Sequence, residues 1–374
     1  MLDRQKLVSE LSKIEQLFIA QTDGSLQQLQ QLWDKVSLDE QIDVRLRSKK
    51  WSLLVPDWHG ALGKTVSVPL QAHPYSVLAV DGSQIYHDKH QGPACYLINV
   101  GSVLLQYGQT QSSVLLQTNP EIIVVSEQGG TDLSPEHVNL HREKKELQLA
   151  VQQSMDYVGT HEIDDFVCLF DGTLIFFQID LSAQDASSTF FAEFMNYFEQ
   201  MYQHRIVHAG YISFPKTKEL LNTLRIIAAD FVEANLDQTA HWQKMNDMDV
   251  AQLFLTPGSR SIIFQSKAPI AYVYPTHLKP YFCYLHVGSE IVRLEFPCWI
   301  AQDQQLVDRL CAVALDQASK GRGYPVVLFE AHEQAVIKTA ERVFFYEILK
   351  KLYVKNDQIY LHSVKSAKKA QVHF

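Results

Sequence analysis

The sequence predicts an α/β fold, a central mixed sheet flanked by helices, with further helices at the N-terminus. Three observations predict it. Leu7, Leu11, Ile14 and Phe18, then Leu26, Leu29, Trp33 and Val36, recur at helical spacing. From about residue 76 the pattern turns to that of strands, with SVLAV, ACYLINVGSVLLQY, SSVLLQ and EIIVV broken by turn residues. From Ser134 onward, helical stretches alternate with buried-type strands, as in layered α/β proteins.

Each element has a local reason. Asp23-Gly24-Ser25 separates the two N-terminal helices and supplies a turn and a cap; their apolar stripe faces either the core or a second subunit. Ser134-Pro135-Glu136 opens a helix that runs to about Val158, with Ser as the cap, Pro in the first turn, and Leu140, Leu147, Val151 and Val158 on one side. DFVCLF follows as a buried strand ending at Asp171-Gly172-Thr173. A helix near 184–203, a strand near 206–213 and a helix near 216–233 continue the alternation. YFCYLH-VGSE-IVRLEF reads as a hairpin, followed by a helix over about 301–319. GRGYP then leads into VVLF, read as a strand, and a long helix from about 331 to 353. The expected division is an N-terminal helical segment (1–70), a main domain (71–355) and a basic tail (356–374).

Composition narrows the classes. With 46% hydrophobic and 20% charged residues, the chain can bury a large core and is not of disordered type. No apolar run approaches the length of a membrane span, and MLDRQKLVSELSKIEQLF lacks the pattern of a secretory signal, so a cytoplasmic location is expected. Cys95, Cys168, Cys283, Cys298 and Cys311 form no CxxC pair and sit mostly in apolar runs, which fits a reducing compartment without a zinc cluster or disulfide framework. A net charge of −9 does not favour nucleic acid as a partner, yet binding in a local channel with metal-neutralised carboxylates remains compatible with it. The basic run Lys350, Lys351, Lys355, Lys365, Lys368 and Lys369 reads as a solvated helix face and tail or as a phosphate contact.

The chemistry concentrates at two aspartates. VLAV ends in Asp81-Gly82-Ser83 and VCLF ends in Asp171-Gly172-Thr173. One Asp-Gly pair is only a turn signal. Two of them, each closing a buried strand where an open α/β sheet places its ligands, suggest carboxylates that meet a cation. Between them lie antiparallel-type strands and then a helix, which is the order of a ribonuclease-H-like core. In that core the strands bearing Asp81 and Asp171 become neighbours, and the helix between them supplies a further carboxylate, Glu143 or Glu146. Clustered hard oxygen ligands suit magnesium or manganese and phosphodiester hydrolysis. FDGTL lacks the nucleophilic aspartate of a haloacid-dehalogenase motif, since Leu169 stands in its place, and neither a P-loop nor HExxH occurs. His332, in FEAHEQAVIK, is a structural histidine, a metal ligand or a proton carrier.

These pieces resemble the NurA family of nucleases. AVDGSQ (79–84), LHREKKEL (140–147), LFDGTL (169–174), AGYISFPKTKEL (209–220), LTPGSRSIIF (255–264), VRLEFPCWIA (292–301) and GRGYPVVLFEAHEQAV (321–336) carry the resemblance over about 76–350. It implies manganese-dependent DNA cleavage, as a 5′–3′ exonuclease and single-strand endonuclease that processes ends in double-strand break repair. It also implies a homodimer working with a hexameric HerA-type ATPase. Asp81, Glu146, Asp171 and His332 then take the metal-binding and catalytic positions, Glu146 because Arg142 precedes it by four residues and Leu147 follows it. Lys216 takes the place of a basic residue that steadies phosphate. Arg260, Ser261, Arg293 and Arg322 are further candidates for DNA contact, with salt bridges as the alternative. Tyr211 reads as a core tyrosine or as a ring that stacks on a base, and Trp51 and Trp58 read as packing residues. The rival classes are a non-catalytic DNA-binding or docking subunit of such an ATPase, and a nuclease on the same core that cuts RNA.

Overall fold

The computed structural model describes residues 3–19, 23–70, 74–88, 94–108, 112–124, 133–161, 166–179 and 186–355. Helices α1 (Arg4–Ile19), α2 (Asp23–Val36) and α3 (Ile42–Arg47) precede the short strand β1 (Thr65–Ser67). Then come β2 (Tyr75–Ile85), β3 (Cys95–Tyr107), β4 (Ser112–Val124), α4 (Pro135–Val158), β5 (Phe166–Asp171), α5 (Ala186–Gln203) and β6 (Val207–Ile212). Next are α6 (Glu219–Ala228), α7 (Asp247–Ala251), β7 (Ser259–Ser261), β8 (Phe264–Gln265), β9 (Pro280–His286) and β10 (Ile291–Pro297). The order closes with α8 (Cys298–Ala301), α9 (Gln304–Lys320), α10 (Val326–Ala335) and α11 (Thr339–Lys355). Among the described residues no helix is long and apolar enough to cross a membrane.

The chain divides into two units, Met1–Pro69 with Tyr211–Leu315, and Leu70–Gly210 with Asp316–Phe374. Residues 211–315 cluster with the N-terminal segment rather than with 70–210. The expected tail, 356–374, lies outside the described residues.

In the first unit, β1-β7-β9-β10 run in that order and β8 pairs with β9. The expected hairpin is present: β9 and β10 pair antiparallel from Ile291↔His286 to Pro297↔Pro280, and Gly288 takes φ 100° in its turn. Leu29 and Trp33 of α2 enter a core with Leu220, Leu224, Phe264 and Phe282, and Trp33 stacks on Phe254 at 4.4 Å. The stripe of α2 thus faces this core, while Leu7 and Leu11 of α1 are exposed.

In the second unit the strand order is β6-β5-β2-β3-β4. β2, β3 and β4 form an antiparallel meander, and β5 returns parallel to β2 with Ser76↔Phe166 to Val80↔Phe170 in register. This is the strand order of a ribonuclease-H-like core, and it sets Val80 of β2 beside Phe170 of β5, so that Asp81 and Asp171 follow on neighbouring strands. Ser134 caps α4 by accepting the amide of His137 at 3.2 Å, with Pro135 in the first turn. SSVLLQ and the described part of EIIVV, read separately from the sequence, form the single strand β4 through Val124; it is an edge strand, where Pro120 is tolerated. VVLF is not a strand. It opens α10, with Val327, Leu328, Ala331 and Ala335 buried at helical spacing, and the long helix expected there is interrupted before α11 begins at Thr339. Short apolar runs fit either period, and here helical packing decides.

Candidate functional site

All the side chains of the site described first belong to the second unit. Asp81 lies inside β2, which runs on to Ile85 past the expected strand end, and stands opposite Gly101 of β3. Successive side chains of a strand point to opposite faces, so Asp81 and Ser83 share one face and Gly82 opens on the other. α4 covers the Gly82 side, and a Cβ at Gly82 would overlap Oε1 of Glu146 and Cγ of Arg142. The glycine leaves the gap through which Glu146 reaches the strand. Arg142, one turn earlier, donates Nη1 to the carbonyl of Gly82 at 3.0 Å and stands 3.0 Å from Glu146 Oε1. That ion contact lacks hydrogen-bond geometry, so Oε1 is a buried oxygen without a hydrogen-bond partner.

Asp171 closes β5 and is followed by Gly172 at φ 120°. A Cβ at Gly210 of β6 would collide with the Gly172 carbonyl, so that glycine lets the turn after Asp171 settle on the neighbouring strand. Thr173 Oγ1 accepts the amide of Ile175 at 3.0 Å and tightens the same turn. The Tyr324 hydroxyl hydrogen-bonds to the Asp171 carboxylate.

α10 covers the Asp81 side. His332 Nδ1 donates to Asp81 Oδ2 at 2.8 Å, while the amide of Gly82 donates to Asp81 Oδ1 at 2.8 Å. With Nδ1 as donor, Nε2 of a neutral imidazole is its lone-pair nitrogen. The His332 side chain is 56% exposed, against 17% for Asp81.

Electrostatics ties the carboxylates together. Desolvation pushes Glu146 up to about 8; Arg142 opposes this, and Asp81, Glu143 and Asp171 reinforce it. Asp171, although exposed, is raised by partial desolvation and by Asp81, against the Tyr324 hydrogen bond and His332. Glu143 is raised by desolvation, with Arg142 and a 2.8 Å hydrogen bond from Gln178 lowering it. Of the two helix glutamates, Glu146 is thus the one that feels both aspartates. Among the described residues no three acidic, histidine or cysteine side chains are already closed around a metal position. The donor set nevertheless fits a hard cation: mutually repelling carboxylates and an orphaned buried oxygen are what such an ion would relieve.

Residues 75–337 match the family model of the NurA domain, more than half of the chain. The chain belongs to the NurA family. No curated protein matches it. Among solved structures it is similar to NurA with manganese (13% identity, 92% of this chain and 98% of that one, TM-score 0.41). It is also similar to NurA bound to dAMP and manganese (13%, 94% and 98%, TM-score 0.37) and to RNase H1 from the halophilic archaeon Halobacterium salinarum NRC-1 (15%, 36% and 82%, TM-score 0.21).

The other candidates of this NurA chain fall in different places. Arg322 is exposed in the second unit, in the turn before α10, at φ 58°. Lys216 is exposed in the first unit, between β6 and α6. Arg260 and Ser261 are buried in β7: the Arg260 guanidinium donates to the Ser261 carbonyl at 3.0 Å and pairs with Asp308 at 3.0 Å, and Ser261 Oγ accepts the amide of Tyr284. Neither is open to DNA in this structure. Arg293 is fully buried between Glu219 and Glu295 and lies 3.6 Å over the Phe282 ring. A sequence shows the charge of such arginines and not their depth. Tyr324 is the site residue that the sequence does not single out: GRGYP offers Arg322 as a candidate and carries part of the resemblance.

Proposed function

We propose that this NurA-family protein is a metal-dependent deoxyribonuclease that hydrolyses phosphodiesters, with Asp81, Glu146, Asp171 and His332 as its working residues. The observation that carries the reading is the seat of Glu146 in the gap at Gly82, beside Asp81 in the chain, with Glu146 electrostatically coupled to Asp81 of β2 and to Asp171 of the adjacent β5. Family membership supports a nuclease-type role. Manganese or magnesium held by Asp81, Glu146 and Asp171 would supply Lewis acidity, lowering the pKa of a water and stabilising the leaving oxygen.

The protein's own side chains do the rest. Arg142 holds Glu146 against β2 and offsets its charge. Tyr324 orients the Asp171 carboxylate. Asp81 fixes the His332 tautomer, which leaves Nε2 to complete the metal shell or to exchange a proton with a substrate oxygen. Arg322 contacts the phosphate chain, and Lys216 is a separate candidate for steadying phosphate. Within the same reading the protein acts as a 5′–3′ exonuclease and single-strand endonuclease on DNA ends in double-strand break repair, as a homodimer coupled to a HerA-type ATPase in the cytoplasm.

The test is cleavage of labelled linear single- and double-stranded DNA with Mn2+, with and without chelator, beside Asp81→Ala. Metal-dependent cleavage lost in a folded Asp81→Ala protein is the expected result. Equal cleavage by that variant rejects the site. No cleavage by the folded wild type, with DNA still bound, favours a docking subunit.

A further inference from the structure

His332 is more than half exposed, so its own packing does little to hold it against Asp81. Its position depends on the helix that carries it. The C-terminal carbonyls of a helix lack intrahelical partners, and in α10 one of them is gripped from the sheet. Asn99 Nδ2 donates to the Ala335 carbonyl at 2.8 Å and reaches that of Gln334 at 3.3 Å, and the Ser83 hydroxyl donates to the same Ala335 carbonyl. Ser83 and Asn99 are cross-strand partners in β2 and β3, and the next pair on that face is Asp81 and Gly101. A Cβ at Gly101 would collide with the backbone of Gln334 and Ala335. The pair below Asp81 therefore anchors the helix end, and the glycine opposite Asp81 lets it approach. Ala335 and His332 are three residues apart, on one face of α10.

We propose that Asn99, with Ser83, is a positioning residue of the reaction, a clamp on the Ala335 carbonyl that sets the His332 imidazole on Asp81. This deepens the nuclease reading and rests on it for its effect on cleavage. Among the described residues, the side-chain hydrogen bonds of Asn99 and Ser83 go to the α10 backbone and to none of Asp81, Glu146, Asp171 or His332.

The test uses the full chain as wild type, Asn99→Ala, Ser83→Ala and the double variant, each also in a His332→Ala background. Folding is followed by circular dichroism. The readouts are Mn2+ affinity by electron paramagnetic resonance, kcat and KM on labelled DNA, and the His332 imidazole resonance in selectively 15N-labelled protein at one pH. Loss of an outer-shell partner costs about 10–100-fold in metal affinity or activity. A loss of that size in kcat with KM little changed is expected for the double variant, nearly vanishing in the His332→Ala background, with the imidazole resonance moving toward that of free histidine. A loss of equal size in both backgrounds, or an unmoved resonance in folded clamp variants, overturns the proposal. If the wild type neither binds Mn2+ nor cuts DNA, the nuclease reading fails by itself, and the resonance alone then decides whether the clamp sets His332.

Discussion

Gly82 and Glu146 occupy one space: the side chain that residue 82 lacks is where the Glu146 carboxylate lies. Asp81 can therefore be followed only by glycine if a carboxylate from α4 is to reach β2. Gly82→Ala keeps the backbone conformation accessible but forces Glu146 and Arg142 away from the strand. The expected outcome is a fall in Mn2+-dependent cleavage of roughly 10–100-fold, as for other displaced metal-site groups, with the protein still folded. Cleavage and thermal melting measured on one preparation check it; unchanged cleavage would show that Glu146 does not act from this position.

The raised pKa of Glu146 makes the metal-free protein pH-sensitive. Its folded value of about 8 stands above the ordinary 4.5, because burial penalises the charged form. The folded state then binds the proton more tightly than the unfolded state. Its contribution is fully present below pH 4.5 and is lost as pH rises through about 8. Urea unfolding in chelator should show stability falling across that window, and Glu146→Gln should flatten the fall. Added Mn2+ should reverse the trend, because a liganding carboxylate must shed its proton. A slope identical in wild type and Glu146→Gln would exclude Glu146 as its source.

Much of this site was legible because apolar strands that run into Asp-Gly are rare enough to be noticed, and Asp81 and Asp171 both have that form. The order strand, meander, helix, strand then predicted which strands become neighbours. Other parts depend on depth, which sequence does not carry. Glu143 and Glu146 lie within one turn of α4, and their periodicity does not separate them; the gap at Gly82, the Gln178 hydrogen bond and the coupling to both aspartates do. Arg260 and Arg293 look like surface arginines until their carboxylate partners, Asp308 and the Glu219–Glu295 pair, are brought in from distant segments. VVLF is too short for its period to choose helix over strand, which misplaced His332 at a strand end.

The buried Arg293 gives a prediction about stability. It is sandwiched between Glu219 and Glu295, and these carboxylates hold its guanidinium well above its ordinary value against desolvation. Removing one member of a buried pair leaves an uncompensated charge and costs about 3–5 kcal/mol. Arg293→Ala should lower the urea midpoint by a corresponding amount and give little folded protein at 37 °C. An unchanged midpoint would mean that the carboxylates take up protons and tolerate the loss.

Arg322 and Arg260 separate a DNA contact from a structural arginine. Arg322 is exposed at φ 58°, a conformation that glycine adopts without strain, so Arg322→Gly removes a charge while relieving the backbone. DNA affinity should weaken at all sequences, with the slope of log K against log salt reduced by about 1, and thermal stability should hold or rise. Arg260→Ala should instead destabilise the fold and leave the salt slope unchanged, since its guanidinium is spent on Asp308 and the Ser261 carbonyl. The reverse pattern would return Arg260 to the DNA surface.

Glu143 and Glu146 provide the sharpest discrimination at the site. Both are raised by desolvation, yet Glu143 accepts its hydrogen bond from Gln178, whereas Glu146 Oε1 is buried beside Gly82 with only the Arg142 ion contact. Glu143→Gln keeps an acceptor for Gln178 and removes one of the charges that raise Glu146, so cleavage should stay within about threefold of wild type, a change under 1 kcal/mol in the barrier. Glu146→Gln puts a neutral amide where the metal-bound protein needs a carboxylate coupled to both aspartates, and cleavage should fall by about 100-fold or more. Mn2+ titrations on both variants give a second reading of the same contrast: affinity kept in the first and lost in the second. If the two variants lose cleavage equally, α4 supplies both carboxylates to the site, and the hydrogen bond from Gln178 to Glu143 must open when the metal binds.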